Sequence, residues 1–421
     1  MFKVTSVNSR QILDSRGNPT VEAEIIVDDN NLGRGSVPSG ASTGALEALE
    51  LRDNNRKIFL GKSVYKAIDN INTQISKSVL NQSYTQELFD KALIDLDNTP
   101  NKERLGANAI LALSIAFANA CSRKLNKPLY QTISKSNKYS LPVPMMNVIN
   151  GGAHANNGLN FQEFMIIPIG FEKYSDSLRA GVEIFHVLKE KIEKLNMSTS
   201  VGDEGGFAPQ IESNIEALDL ILDAINDANY VAGKHVYLGL DVASSEFYVN
   251  GNYMFENKEL SSTDFITYLA NLCDKYPIIS IEDGMSEDDW DGWSALTKKL
   301  NDKVQLVGDD VFVTNKDILK KGIDKNIANS ILIKLNQIGT ITETLETIDL
   351  AKQNGYTTII SHRSGETEDV TIADLSVSTS AGQIKTGSLS RTDRNAKYNQ
   401  LIRIEENVKE YNPQKVFNRW L

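Results

Sequence analysis

A chain of 421 residues, 41% hydrophobic and 24% charged, is long enough for two domains with substantial cores. Its formal net charge of −11 argues against non-specific binding to nucleic acid or to an anionic membrane, although a few local cations would suffice for an anionic small molecule. Two cysteines, Cys121 and Cys273, do not make a disulfide framework and point to a reducing compartment.

The opening MFKVTSVNSRQILDSRG has polar residues every few positions and no apolar core of signal-peptide length, so a cytoplasmic location is expected. Residues 2–7, 21–27 and 32–37 read as a β-meander, with Gly17 and Pro19 breaking the first turn. VPSGASTGALEALELRD follows: a polar, flexible loop over residues 39–44, which is a hinge, a lid or a linker, and then a helical pattern from Ala45. Helical periodicity dominates to about Asn126. Within it, GANAILALSIAFANAC is too short for a membrane span, carries Asn108, Ser114 and Asn119, and reads as a buried alanine-rich helix. Prolines at 128, 142 and 144 mark a domain boundary, dividing the chain into residues 1–130 and 131–421.

The second domain opens with two strands, MMNVIN and FQEFMIIP, and two helices over residues 175–195 and 211–228. The loop between the strands carries His154, and Gln162 and Glu163 lie on the second strand. Glu204 sits in the glycine-rich VGDEGGFAP between the helices, where backbone can crowd a ligand or simply form a surface turn. Regular alternation then begins. A short apolar run ends at an ionisable residue again and again: Asp241, Glu282, Asp309, Lys334, His362 with Arg363, and Lys385. The intervals of 41, 27, 25, 28 and 23 residues each hold one strand, one helix and two loops. Such α/β alternation means a parallel sheet covered on its faces, and a sheet closed into a barrel would gather these strand ends on one rim. A charged helix from Asp393 to about Lys409 closes the pattern.

Lys334 is the organising residue. It lies in NSILIKLNQIGT, where burial would disfavour the ammonium and could tune the amine into a proton acceptor; the alternative is an amine that snorkels to solvent. Asp241, Glu282 and Asp309 at successive strand ends suit a hard divalent cation such as magnesium, and singly each could equally cap a helix. His362-Arg363-Ser364 offers donors for a phosphate or carboxylate, or a salt bridge to a nearby acid. His186 and His235 read as packing or structural residues. Gly61-Lys62-Ser63 is no P-loop, because Arg56 stands where its first glycine belongs, and no G-x-G-x-x-G joins a strand to a helix.

SRGNPTVE, GASTG, LGANAILALS, PVPMMNVINGGAHA, FQEFMI, GDEGGFAP, LGLDVASSEFY, IEDGMSEDDW, VGDD, ILIKLNQIGT, SHRSGETED and QIKTGS occur in one order along nearly the whole chain. Together they resemble the enolase family. The resemblance implies a smaller α+β N-terminal domain before a C-terminal (β/α)8-type TIM-like barrel with a ββαα start. It implies reversible dehydration of 2-phosphoglycerate to phosphoenolpyruvate, with two magnesium ions per site once substrate is bound. By position, Lys334 corresponds to the general base and Glu204 to the general acid. Asp241, Glu282 and Asp309 correspond to ligands of the first magnesium, and Ser42, in the lid loop, to a backbone ligand of the second. His154, Gln162, Glu163, His362, Arg363, Ser364 and Lys385 correspond to residues that contact substrate or support those that do. A homo-oligomer, either a dimer or a ring of dimers, is implied, and secondary protein partners occur in the family. Members that bind host proteins do so through a C-terminal lysine, whereas this chain ends Arg419-Trp420-Leu421. The competing readings are another dehydratase or racemase of the same superfamily, and a non-catalytic binding protein or adhesin.

Overall fold

The structure, a computed structural model, describes every residue except Asp29 and Ser42. Strands β1 (Phe2–Leu13), β2 (Pro19–Val27), β3 (Asn31–Ser36) and β4 (Ser83–Tyr84) form an antiparallel sheet in the order β3-β2-β1-β4. In β2, Val21, Ala23, Ile25 and Val27 are buried while Glu22 and Glu24 meet Arg10 across the strand pair, the alternation expected of a sheet with one wet face. The alanine-rich segment is a helix, Ala107–Leu125, buried over most of its length against β2 and β3. Glycines in β3 make this possible, since a Cβ on Gly33 would stand 2.0 Å from the Ala116 carbonyl oxygen.

The helix expected from Ala45 does not form there. Regular helix begins only at Tyr65–Asn70, followed by Gln86–Asp97. Residues 45–58 are instead a strap whose backbone donors bind distant segments. Ala48 donates to the Gln337 carbonyl, Leu49 to Asn101, Asp53 to Ser63 and Asn54 to Gly61. Satisfying those groups across the chain outweighs the helical preference of ALEALEL, which is worth only tenths of a kcal/mol per residue.

The second domain is a closed barrel of β5 (Val143–Asn150), β6 (Glu163–Pro168) and β7 (Val236–Asp241), then β8 (Ile278–Glu282), β9 (Gln305–Gly308), β10 (Ser330–Ile333), β11 (Thr357–Ser361) and β12 (Gly382–Lys385). Strand β6 runs antiparallel to both neighbours; the other barrel pairs are parallel. Helices Tyr174–Lys194 and Asn214–Asp227 separate β6 from β7, giving the ββαα start. The long apolar runs of the sequence are accounted for by strands buried on both faces.

The domains are bonded to each other. Ser39 and Gly365 exchange backbone hydrogen bonds of 2.7 and 2.8 Å, Ser15 donates to the Glu366 carbonyl, and Lys102 pairs with Glu343. Among the described residues no helix is long and apolar enough to cross a membrane.

Candidate active site

Because β7 through β12 are parallel, their C-terminal ends reach one rim. Asp241, Glu282 and Lys385 are the last residues of β7, β8 and β12, while Asp309, Lys334 and His362 immediately follow β9, β10 and β11. Glu163 joins them from the opposite chain direction, since it begins the antiparallel β6 and pairs with Asp241. The loop between β5 and β6 brings His154 and Gln162. The glycine loop brings Glu204, held by bridges from Phe207 to Ile149 and Val201 and by the Asn147 amide, which donates to its carboxylate at 3.1 Å. A cavity of about 280 Å³ is lined by His154, Gln162, Glu163, Glu204, Asp241, Lys334, Ser361, His362, Arg363, Ser364 and Lys385. Glu282 and Asp309 touch its lysines. The larger hollow of about 1980 Å³ lies at the other end of the barrel, where β11 and β12 begin, and gathers no such set of acids. Ser42 lies outside the described residues.

Two ion-pair centres organise the site. Lys385 Nζ reaches Glu282 at 2.9 Å, Asp241 at 3.0 Å and Glu163 at 3.1 Å. Burial works to discharge this lysine, but the surrounding carboxylates outweigh it and hold its pKa well above the ordinary value. Lys334 Nζ meets the Asp309 carboxylate at 2.5 Å. Here the expectation from sequence is overturned: burial does push Lys334 toward neutrality, but Asp309 wins and raises its pKa. The same contact, against the opposing effect of burial, lowers Asp309.

Glu163 and Glu204 form the other half. His154 Nδ1 stands 3.8 Å from the one carboxylate and 3.7 Å from the other. Burial and the charge of Glu204 push Glu163 well above the usual carboxylate range. Glu204 is also pushed up by burial, but the imidazoles of His154 and His362 and the Arg394 guanidinium hold it well below that range. The two shifts run in opposite directions, Glu163 toward the protonated form and Glu204 toward the carboxylate, which is opposite to the reading of Glu204 as the acid that arrives protonated. A charged His362 would be at odds with its own state, since burial pushes that imidazole down to about 4. A neutral His362 with Nε2 3.4 Å from Glu204, beside the permanently charged Arg394, accounts for both.

Arg363 does not face an open site. Its fork pairs with Glu47 of the strap at 2.8 and 3.1 Å, and Nη1 also donates to Asn336. Of the two readings open in the sequence, the salt bridge is the one formed here. Glu47 was missed because its place in ALEALEL reads as an exposed helical position. Gln337, which donates to Asp309 at 2.9 Å, and Arg394 were missed too; nothing in the local pattern of DRNAKYNQ marks its arginine as buried.

The residues present fit a divalent cation. Asp241, Glu282 and Asp309 are buried oxygen donors, and Glu282 Oε2 and Glu163 Oε2 are buried without a hydrogen-bond partner among the described residues. Mutual repulsion supports the same view: burial, then Asp241 and Asp309, raise Glu282 well above its usual value despite Lys385. In this arrangement the lysines hold the three acids. Among the described residues, the groups whose donor atoms all lie within 4.8 Å are His154–Glu163–Glu204 and Asp283–Asp309–Asp310, each compatible with metal binding.

Comparison with protein families agrees with this layout at both ends of the chain. The enolase N-terminal domain matches residues 4–133, and the enolase C-terminal TIM barrel domain matches residues 138–418. The chain belongs to the enolase family. Membership makes it an enolase-family lyase with a small-molecule substrate, and the closed barrel with its antiparallel second strand is the fold of that family's C-terminal domain in this chain.

Proposed function

We propose that this protein catalyses the magnesium-dependent, reversible dehydration of 2-phosphoglycerate to phosphoenolpyruvate, as a glycolytic enolase. One observation carries the reading: an amine and a carboxyl group that can exchange protons, Lys334 and Glu204, line one buried cavity with Lys385, Arg363, Ser364, Glu163 and Asp241, while Glu282 and Asp309 touch its lysines. Asp241, Glu282 and Asp309 would hold the first magnesium, and the Ser42 loop would contribute to the second. Bound magnesium would supply positive charge against the substrate carboxylate, making its α-proton removable.

The chain's own groups do the rest. Lys334 first gives up its own proton to solvent once Asp309, one of the acids assigned to the metal, releases its contact, and the neutral amine then accepts the α-proton at Nζ. Lys385 remains an ammonium and steadies negative charge on the substrate. Glu204 delivers a proton to the departing hydroxide, and Glu163, which holds the proton of that carboxylate pair, is its immediate source. Arg363 and Ser364 hold the phosphate once Glu47 gives up the guanidinium fork. We also propose a homo-oligomer working in the cytoplasm, in keeping with the family.

The test is direct. Purified protein given 2-phosphoglycerate and magnesium should produce enolpyruvate absorbance, and excess chelator should abolish it. Full activity in chelator removes the metal from the scheme. Comparable specificity constants for glycerate or sugar acids would move the chain to another reaction of the superfamily.

A further inference from the structure

The Thr392–Glu405 helix, which follows the barrel, sends a fully buried arginine into the site from behind. Arg394 Nη1 meets His362 Nδ1 and donates to the Arg363 carbonyl at 2.6 Å; Nη2 donates to the carbonyls of Ser364 at 2.5 Å and Asp203 at 3.1 Å. It therefore ties the loop after β11 to the residue preceding Glu204. More follows from chemistry than from this clamp. A guanidinium has donors only and does not lose its proton in proteins. The ring nitrogen facing it must therefore present a lone pair, and the proton of a neutral His362 must sit on Nε2, the nitrogen 3.4 Å from Glu204 Oε1.

We infer that Arg394 is a positioning residue that locks His362 as the neutral Nε2–H tautomer, making it a fixed hydrogen-bond donor toward Glu204 and not a proton relay. Burial and the adjacent guanidinium both disfavour the imidazolium, and the nearby Glu204 only partly opposes them. His154 differs, because its Nδ1 has no hydrogen-bond partner among the described residues, although it stands 3.8 Å from Glu163 and 3.7 Å from Glu204. The catalytic meaning of the lock rests on the dehydration proposed above; the tautomer itself does not.

Four histidines make the test practicable. Protein labelled with 15N-histidine is examined without substrate by correlating ring nitrogens with ring protons, and His362 is assigned by its loss in His362→Gln. The wild type should show a protonated Nε2 and a pyridine-type Nδ1. Arg394→Gln, whose amide can donate or accept, should mix the tautomers and lower kcat about 10- to 100-fold with much less change in KM. Arg394→Lys keeps a donor at Nδ1 and should keep the tautomer while losing carbonyl contacts. Lys397→Met, one turn on, loosens the same loop through Glu366 and Thr367 and should leave the ring unchanged. A wild-type or Arg394→Lys ring protonated on Nδ1 overturns the inference, as does an Arg394→Gln ring identical to the wild type. If Arg394→Gln does not fold, the other two spectra decide. Absence of turnover with 2-phosphoglycerate would defeat the functional reading and leave the ring spectrum as evidence on the lock.

Discussion

The two sides of the cavity are equally buried and end in opposite charge states. Toward β9 and β10, Lys334 faces Asp309; the lysine's pKa rises, the aspartate's falls, and both are ionised. Toward β6, Glu163 faces Glu204, and Glu163 is raised while Glu204 is lowered, so the pair holds a proton on one member. Burial acts against charge on both sides. The partner decides the sign: an opposite charge keeps both groups ionised, whereas a like charge forces one of two acids to stay neutral. That contrast leaves Lys334 an ammonium and Glu204 a carboxylate, each the opposite of what proton abstraction and delivery need, so the proposed reaction requires that the Lys334–Asp309 pair relax and that Glu204 gain a proton when substrate arrives.

The largest effects should come from removing the amine. Lys334→Ala should lower turnover by about 10³- to 10⁴-fold, near the upper range for loss of a general base, and should stop exchange of the substrate α-proton with heavy water. Exchange at the wild-type rate would place the base elsewhere and dissolve the contrast. On the other side, Glu204→Gln should cost about 10²- to 10³-fold in turnover yet keep measurable exchange, because the amine remains. Equal loss of exchange in both variants would mean that the two sides do not act in separate steps.

A smaller effect concerns the Glu47–Arg363 pair, which couples the strap to the rim. Both side chains are nearly inaccessible, at 9% and 3% exposure, so Glu47→Gln leaves a buried guanidinium short of a counter-charge. Loss of that charge-assisted bonding should destabilise the free protein by about 2–3 kcal/mol. Because Glu47 competes with an anion for the guanidinium fork, saturating inorganic phosphate should raise the melting temperature of Glu47→Gln more than that of the wild type. Equal shifts would show that Arg363 is not where the phosphate binds.

Much of this was legible in the sequence. An apolar run that ends in an ionisable residue is what a parallel barrel strand with a functional rim must look like, and Asp241, Glu282, Asp309, Lys334, His362 and Lys385 do meet at one rim. The doubled strands and helices before β7 were equally plain from their lengths. The strap was not, because its backbone is satisfied by Gln337 and Asn101, partners far away in the chain, and local helical preference cannot register them. Charge states were misread for a related reason. Burial of Lys334 is visible in its apolar flanks, but the Asp309 oxygen at 2.5 Å belongs to the preceding barrel strand's loop. Arg394 was hidden because a helix buries it from a different part of the chain.

The mildest test extends the contrast to an acid whose contacts include no lysine or arginine. Asp90, on the Gln86–Asp97 helix, is fully buried at the boundary between domains and accepts from the Thr342 N–H at 3.0 Å, the Thr342 hydroxyl at 2.6 Å and the Gln86 amide at 3.0 Å. If the partner decides the sign, neutral donors should offset burial only in part. Burial indeed raises this carboxyl from 3.8 to about 6, against those hydrogen bonds. The folded protein then holds a proton at a pH where the unfolded chain has lost it. Asp90 thus contributes stability that is complete below about pH 4 and is lost as pH rises through about 6. At about 1.4 kcal/mol per unit, the contribution is on the order of 3 kcal/mol. Asp90→Asn keeps an acceptor for Thr342 and removes the titration. Urea unfolding of both proteins from pH 4 to 7 should show the wild type losing roughly that much stability relative to the variant across the interval. A constant difference would mean that Asp90 is ionised throughout, and that uncharged donors alone can hold a buried carboxylate here.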